Sequence, residues 1–141
     1  MKIRVFLDTN VFIYSFEFPN SNSAKIIELL NKGNIEAITS EKVLKEVTEY
    51  FKKFYSIELA RKFRRYLLDT CTVVIKQEVL EQINELKGKI KEKDLEQLET
   101  TKKFGIKFLI SYDRDFESCE EYATPKKFLE KLKIKANDSE F

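Results

Sequence analysis

The stretch Ile3-Arg4-Val5-Phe6-Leu7-Asp8-Thr9-Asn10 decides how this chain is read. A β-favouring apolar run ends abruptly on an acid, and the acid is followed by residues that suit a turn or a helix start. A buried strand over 2–7 therefore delivers Asp8 to its carboxyl end. In open parallel sheets, ligand sites form beyond the carboxyl ends of the strands.

The remaining segments alternate in the same way. A helical turn is expected over 10–16 and a helix over 21–32, where Ile26, Ile27, Leu29 and Leu30 face inward and Gly33 makes the stop. A second strand covers 35–39. Helices follow over 41–54 and 57–68, and the β-branched run 71–75 is a third strand. Helices are expected over 78–90 and 94–104, a strand over 106–111, a short fifth strand near 122–124, and a last helix opened by Pro125. Strands alternating with helices imply an α/β fold with a mostly parallel central sheet of four to five strands flanked by helices. The 141 residues suit one domain, over 1–135, with a frayed polar tail over 136–141.

Composition excludes much chemistry. The chain has no histidine, which removes Ser-His-Asp and Cys-His nucleophiles and histidine-ligated zinc. Its two cysteines, Cys71 and Cys119, cannot form a four-thiolate site and read as structural thiols. Three scattered glycines exclude the dinucleotide fingerprint and the P-loop. A net charge of +2 implies no strong overall attraction to nucleic acid, so any such attraction is local. There is no targeting segment and no apolar run of the ~18 residues needed to span a bilayer, so a cytoplasmic protein is expected. What survives is a carboxylate site for a hard cation, or a non-catalytic domain.

Each candidate acid has a structural reading beside the functional one. Asp8 suits a turn, with Asn10 as helix N-cap. Asp113 and Asp115 follow the fourth strand, where Asp-x-Asp can hold a divalent cation or merely cap a turn, with Arg114 as neutraliser. On the helix over 41–54, Val43, Leu44, Val47, Tyr50, Phe51 and Phe54 form an apolar stripe, and Glu46 falls beside it. Glu46 can reach the sheet edge or pair with Lys42. Asp94 with Gln97 resembles a capping box. Together these carboxylates would repel one another unless a cation sat among them or one stayed protonated, so such a cluster is seldom built without a use.

In order, the chain carries Leu7-Asp8-Thr9-Asn10-Val11-Phe12-Ile13, then Thr39-Ser40-Glu41 leading to Glu46-Val47, then Asp94 on a helix ending at Gly105. It closes on Leu109-Ile110-Ser111-Tyr112-Asp113-Arg114-Asp115-Phe116. This pattern resembles the PIN-domain nucleases over nearly the whole length, and implies their three-layer fold. The resemblance implies that Asp8, Glu46, Asp94 and Asp113 hold Mg²⁺ or Mn²⁺ as the catalytic acids. Asp115 is a further contributor, and Thr9, Asn10 and Ser111 orient the site. The family's usual Thr before the last acids is Ser111 here, which keeps the hydroxyl. The implied activity is metal-dependent endonucleolytic hydrolysis of single-stranded RNA, with the chain as toxin of a toxin–antitoxin pair. The alternative is a non-catalytic PIN-like domain that binds RNA or protein. A receiver domain is disfavoured because Asp8 has no acidic neighbour and the third strand runs into Lys76-Gln77. A haloacid-type phosphatase would need an acid at position 10.

Residues 42–65 carry eight basic residues against three acidic ones. Lys45, Lys52, Lys53, Arg61, Arg64 and Arg65 are candidate RNA contacts there, with Phe51, Phe54, Tyr55, Phe63 and Tyr66 interleaved for base stacking. Phe12, Phe16, Phe18 and the aromatics of 50–55 exceed the needs of a small core. With the resemblance, they suggest an antitoxin contact and a homodimer.

Overall fold

The computed structural model describes residues 2–75 and 105–141. Its elements are β1 (Ile3–Leu7), α1 (Thr9–Glu17), α2 (Asn22–Asn31), β2 (Ile35–Ser40), α3 (Glu41–Phe54), α4 (Ile57–Thr70) and β3 (Cys71–Val74). They continue with β4 (Phe108–Ile110), a 3-10 turn (Arg114–Phe116), β5 (Tyr122–Ala123) and α5 (Pro125–Lys131). The helices expected over 78–90 and 94–104, and Asp94 with them, lie outside the described residues.

The described strands form one sheet in the order β3-β2-β1-β4-β5, and every pairing is parallel. Consecutive residues of the inner strands are buried: Val5, Phe6 and Leu7 in β1, and Ala37 through Ser40 in β2. Neighbouring residues of a strand point to opposite faces, so both faces of the sheet are covered. This is the three-layer α/β arrangement that the sequence implies.

The chain runs outward from β1 through β2 to β3. It then returns to the other flank of β1 with β4 and β5. The strand order therefore reverses between β1 and β4, and a crevice at such a reversal is where open α/β sheets bind ligands. The register pairs Leu7 with Ile110, which sets Asp8 and Ser111 side by side just past the strand ends.

Short polar side chains start the helices. Asp8, Ser21, Ser40, Ser56 and Thr124 each accept a backbone N–H of the first turn of the helix they precede. The cap of α1 is Asp8, not Asn10, which lies one residue inside the helix. Gly33 follows α2 at φ 78°, a left-handed conformation that glycine adopts without strain. On α3, Val43, Leu44, Val47 and Phe51 are buried as the spacing requires, but Phe54 at the stripe's end is exposed. Residues 136–141, expected to be loose, lie hydrogen-bonded along the start of α2.

Candidate active site

Asp8 directly follows β1 and is buried, with 6% of its surface exposed. A buried carboxylate is costly unless donors surround it. Its Oδ1 accepts the Thr9 N–H at 2.8 Å, and its Oδ2 accepts the Ser111 hydroxyl at 2.6 Å. The first of these donors is the amino terminus of α1, whose dipole favours an anion. Capping α1 and seating a buried carboxyl group are thus the same geometry at Asp8.

Thr9 and Ser111 link Asp8 to two further acidic residues, to Glu46 at its carboxylate and to Asp113 at its backbone N–H. The Thr9 hydroxyl donates to Glu46 Oε1 at 2.7 Å, which ties α1 to α3 and turns Glu46 toward the sheet edge. On the other side, Ser111 Oγ accepts the Asp113 N–H at 2.9 Å, and Asp113 Oδ1 accepts the Asp115 N–H at 2.9 Å. Asp113 caps the 3-10 turn, while Arg114 reaches Glu117 at 3.9 Å. Asn10 Oδ1 accepts the Tyr112 N–H at 3.4 Å, which closes the loop back onto α1. Glu46, Thr9, Asp8, Ser111, Asp113 and Asp115 therefore lie on one connected hydrogen-bonded path at the β1–β4 crevice, with Asn10 beside it on Tyr112. Among the described residues, however, no three His, Cys, Asp or Glu side chains lie close enough together to hold a metal ion.

Three supports were not singled out in the sequence. Thr39, fully buried, donates its hydroxyl to Leu7 O at 3.0 Å and fixes the end of β1 against β2. Tyr112 shares a hydroxyl–hydroxyl hydrogen bond with Ser23 at 2.6 Å. Burial pushes the Tyr112 phenol above its ordinary value, and the Ser23 bond partly offsets the shift. Tyr112 stands inside the quoted Ser111–Phe116 motif, which was the available signal. Ser23 had none.

The basic residues separate into groups. Lys45, Lys52 and Arg64 line one groove of about 650 Å³ between α3, α4 and the end of β3, together with Glu41 and Glu49. Arg61 and Arg65 line another concavity with Lys62 and Glu58. Lys53 lies over the Phe54 ring at 5.2 Å. Most of the interleaved aromatics are occupied in packing α3, α4 and α1 rather than presented for base stacking. Phe51 is buried and stacks on Phe63 at 4.1 Å, and Phe16 meets both rings edge-on. Tyr50 and Tyr55 both donate to Glu17, at 2.6 and 2.9 Å, and the first bond pushes the Tyr50 phenol up to about 12. Phe12, read as surface, is 1% exposed and belongs to the core.

The PIN-domain model matches residues 4–115, from the first strand through the Asp113–Asp115 loop. The chain belongs to the PIN-domain family. Solved PIN-domain folds resemble it over most of their length. A toxin–antitoxin complex from Klebsiella pneumoniae shares 22% identity, with TM-score 0.69, over 86% of this chain and 97% of that one. The Mycobacterium tuberculosis toxin VapC20, which cleaves the sarcin–ricin loop, shares 17% at TM-score 0.63, over 81% and 93%. VapBC-1 of nontypeable Haemophilus influenzae shares 16% at TM-score 0.64, over 89% and 100%. No curated protein sequence matches the chain. No helix among the described residues is long and apolar enough to cross a membrane.

Proposed function

We propose that this PIN-domain chain is a divalent-cation-dependent endoribonuclease acting on single-stranded RNA in the cytoplasm, and the toxin of a toxin–antitoxin pair. The observation that carries the reading is the hydrogen-bonded path from Glu46 through Thr9 to Asp8, and from Asp8 through Ser111 to the Asp113 N–H, at the sheet's reversal point. A fold needs no such path merely to cap α1.

The donors suit a hard cation. Asp8, Glu46, Asp113 and Asp115 offer only oxygens, the ligands that Mg²⁺ and Mn²⁺ prefer. Among the described residues these acids do not close on one point, so holding an ion would require Asp8, Glu46 and Asp113 to draw together around it, with Asp94 added on the family resemblance and Asp115 as a further contributor. When bound, the cation supplies an activated water and neutralises charge on the phosphate. The chain's own residues set the stage. Thr9 N–H and Ser111 Oγ hold the Asp8 carboxyl fixed in rotamer, Thr9 Oγ1 aims Glu46 at the crevice, and Asn10 holds the loop that presents Asp113.

For substrate contact the reading assigns Lys45, Lys52 and Arg64, which share a groove, and Arg61 and Arg65, which line another concavity. These charges would neutralise phosphates, a sequence-independent contribution. An antitoxin, and a second copy of the chain, find apolar surface in the exposed rings of Phe16, Phe18, Phe54 and Tyr55. The toxin–antitoxin assemblies among the structural relatives support that assignment.

The test is cleavage of labelled single-stranded RNA in Mn²⁺, in Mg²⁺ and after chelation. Cleavage that appears with the cation and stops on chelation supports the proposal. RNA binding without cleavage at any cation concentration would leave only the non-catalytic alternative.

A further inference from the structure

Residues 136–141 are fastened to the loop that carries Ser111 and Asp113. The fastening point is Asn22, fully buried at the start of α2. Its backbone N–H donates to Phe141 O at 2.6 Å, and its side-chain nitrogen donates to Ser139 O and Glu140 O, each at 3.2 Å. Its Oδ1 accepts the Asn137 N–H at 2.7 Å. Asn137 is held in turn, donating to Asn20 O at 2.8 Å and accepting from Lys25 Nζ at 3.0 Å. A buried amide whose donors and acceptor are all taken by one short segment fixes that segment's course.

That course brings the Phe141 ring against Tyr14 at 5.6 Å and Tyr112 at 5.4 Å, and Tyr14 and Tyr112 meet at 4.7 Å. Tyr112 is also bonded to Ser23, next in sequence to Asn22. The loop has little regular structure to hold it. Beyond the Ser111 N–H, which donates to Ala123 O, the amides of Tyr112, Asp113 and Asp115 go to side-chain acceptors. The position of the Tyr112 ring is therefore a constraint on where Ser111 and Asp113 sit.

We propose that residues 136–141 form a strap that seats Tyr112 and so keeps the Ser111–Asp113 loop in register with Asp8, with Asn22 and Phe141 as positioning residues. Its consequence for cleavage rests on the function proposed above, whereas its structural part does not.

Amide hydrogen exchange tests the strap in wild type, Phe141→Ala and Phe141→Tyr. Phe141 is half-exposed, so its truncation leaves the fold intact. Exchange at Tyr112 and Asp113 should quicken about tenfold in Phe141→Ala while β2 is unchanged, and Phe141→Tyr should restore it. The same Phe141→Ala protein should need more Mn²⁺ for half-maximal thermal stabilisation and show a lower kcat at unchanged KM. Exchange at the loop unchanged to within about twofold, or raised equally in β2, overturns the strap. If wild type neither cleaves RNA nor responds to Mn²⁺, the proposed function fails, and the exchange comparison still decides the strap.

Discussion

The Ser111 hydroxyl donates to Asp8 Oδ2 at 2.6 Å, across the boundary between β1 and β4, while it accepts the Asp113 N–H at 2.9 Å. One oxygen atom therefore sets the relation between two of the proposed catalytic acids. Ser111→Ala removes both bonds and leaves a buried carboxylate short of a donor, at a cost of about 1.5–3 kcal/mol. Activity should fall roughly 10–100-fold, the usual effect of losing an orienting group. Ser111→Thr keeps the hydroxyl and should retain most of it. Equal rates for Ala and Thr would show that the hydroxyl does not matter.

Glu46 depends on Thr9 in the same way. Thr9→Val keeps the shape and deletes the donor to Glu46 Oε1. A double-mutant cycle of Thr9→Val with Glu46→Ala, read as RNA cleavage, should show coupling of about 0.5–3 kcal/mol. Strictly additive effects would mean that Glu46 acts without its α1 contact.

Much of this site was legible in the sequence, because local chemistry and topology agree there. The strand–acid–turn pattern placed Asp8, the Leu109–Phe116 motif placed Ser111 and Asp113, and helical spacing put Glu46 beside the buried face of α3. What failed was long-range. Nothing local indicates that Glu46 would choose Thr9, 37 residues away, over Lys42 on its own helix. Phe54 continues the apolar stripe in spacing but lies at the end of α3 with no element to cover it among those described. The tail is polar in composition, yet buried Asn22 supplies it with partners more than a hundred residues away in the chain. Base stacking by Phe51 and Phe63 was a fair reading of interleaved aromatics, but helix pairing claims them.

Alkaline pH probes the α1–α3 contact. Neutral Tyr50 donates to Glu17, which raises its folded value to about 12. The stabilisation is complete below the ordinary tyrosine value of about 10 and is lost as pH rises through the folded value. Denaturant unfolding should show stability falling more steeply above pH ~10 in wild type than in Tyr50→Phe. Tyr55, which shares Glu17, should act in the same direction. Identical slopes would mean that the bond contributes nothing in solution.

Binding of RNA to an uncleaving variant should depend on salt. Replacing Lys45, Lys52 or Arg64 by Gln should each flatten the log–log salt slope by about 0.7, with little dependence on sequence. Lys53→Gln, whose ammonium lies over Phe54, should change it less. Slopes unmoved by the three groove substitutions would place the RNA elsewhere.

Asp8 is proposed as the anchor of a cation-dependent nuclease site rather than a helix cap alone. The direct measurement is cleavage of labelled single-stranded RNA in Mn²⁺ by wild type and Asp8→Asn, side by side. Asn keeps an oxygen for the Thr9 N–H but lacks the charge. The expected result is a loss of about a hundredfold or more in Asp8→Asn, with the wild-type rise in melting temperature on adding Mn²⁺ largely abolished. Equal cleavage by the two proteins would contradict it.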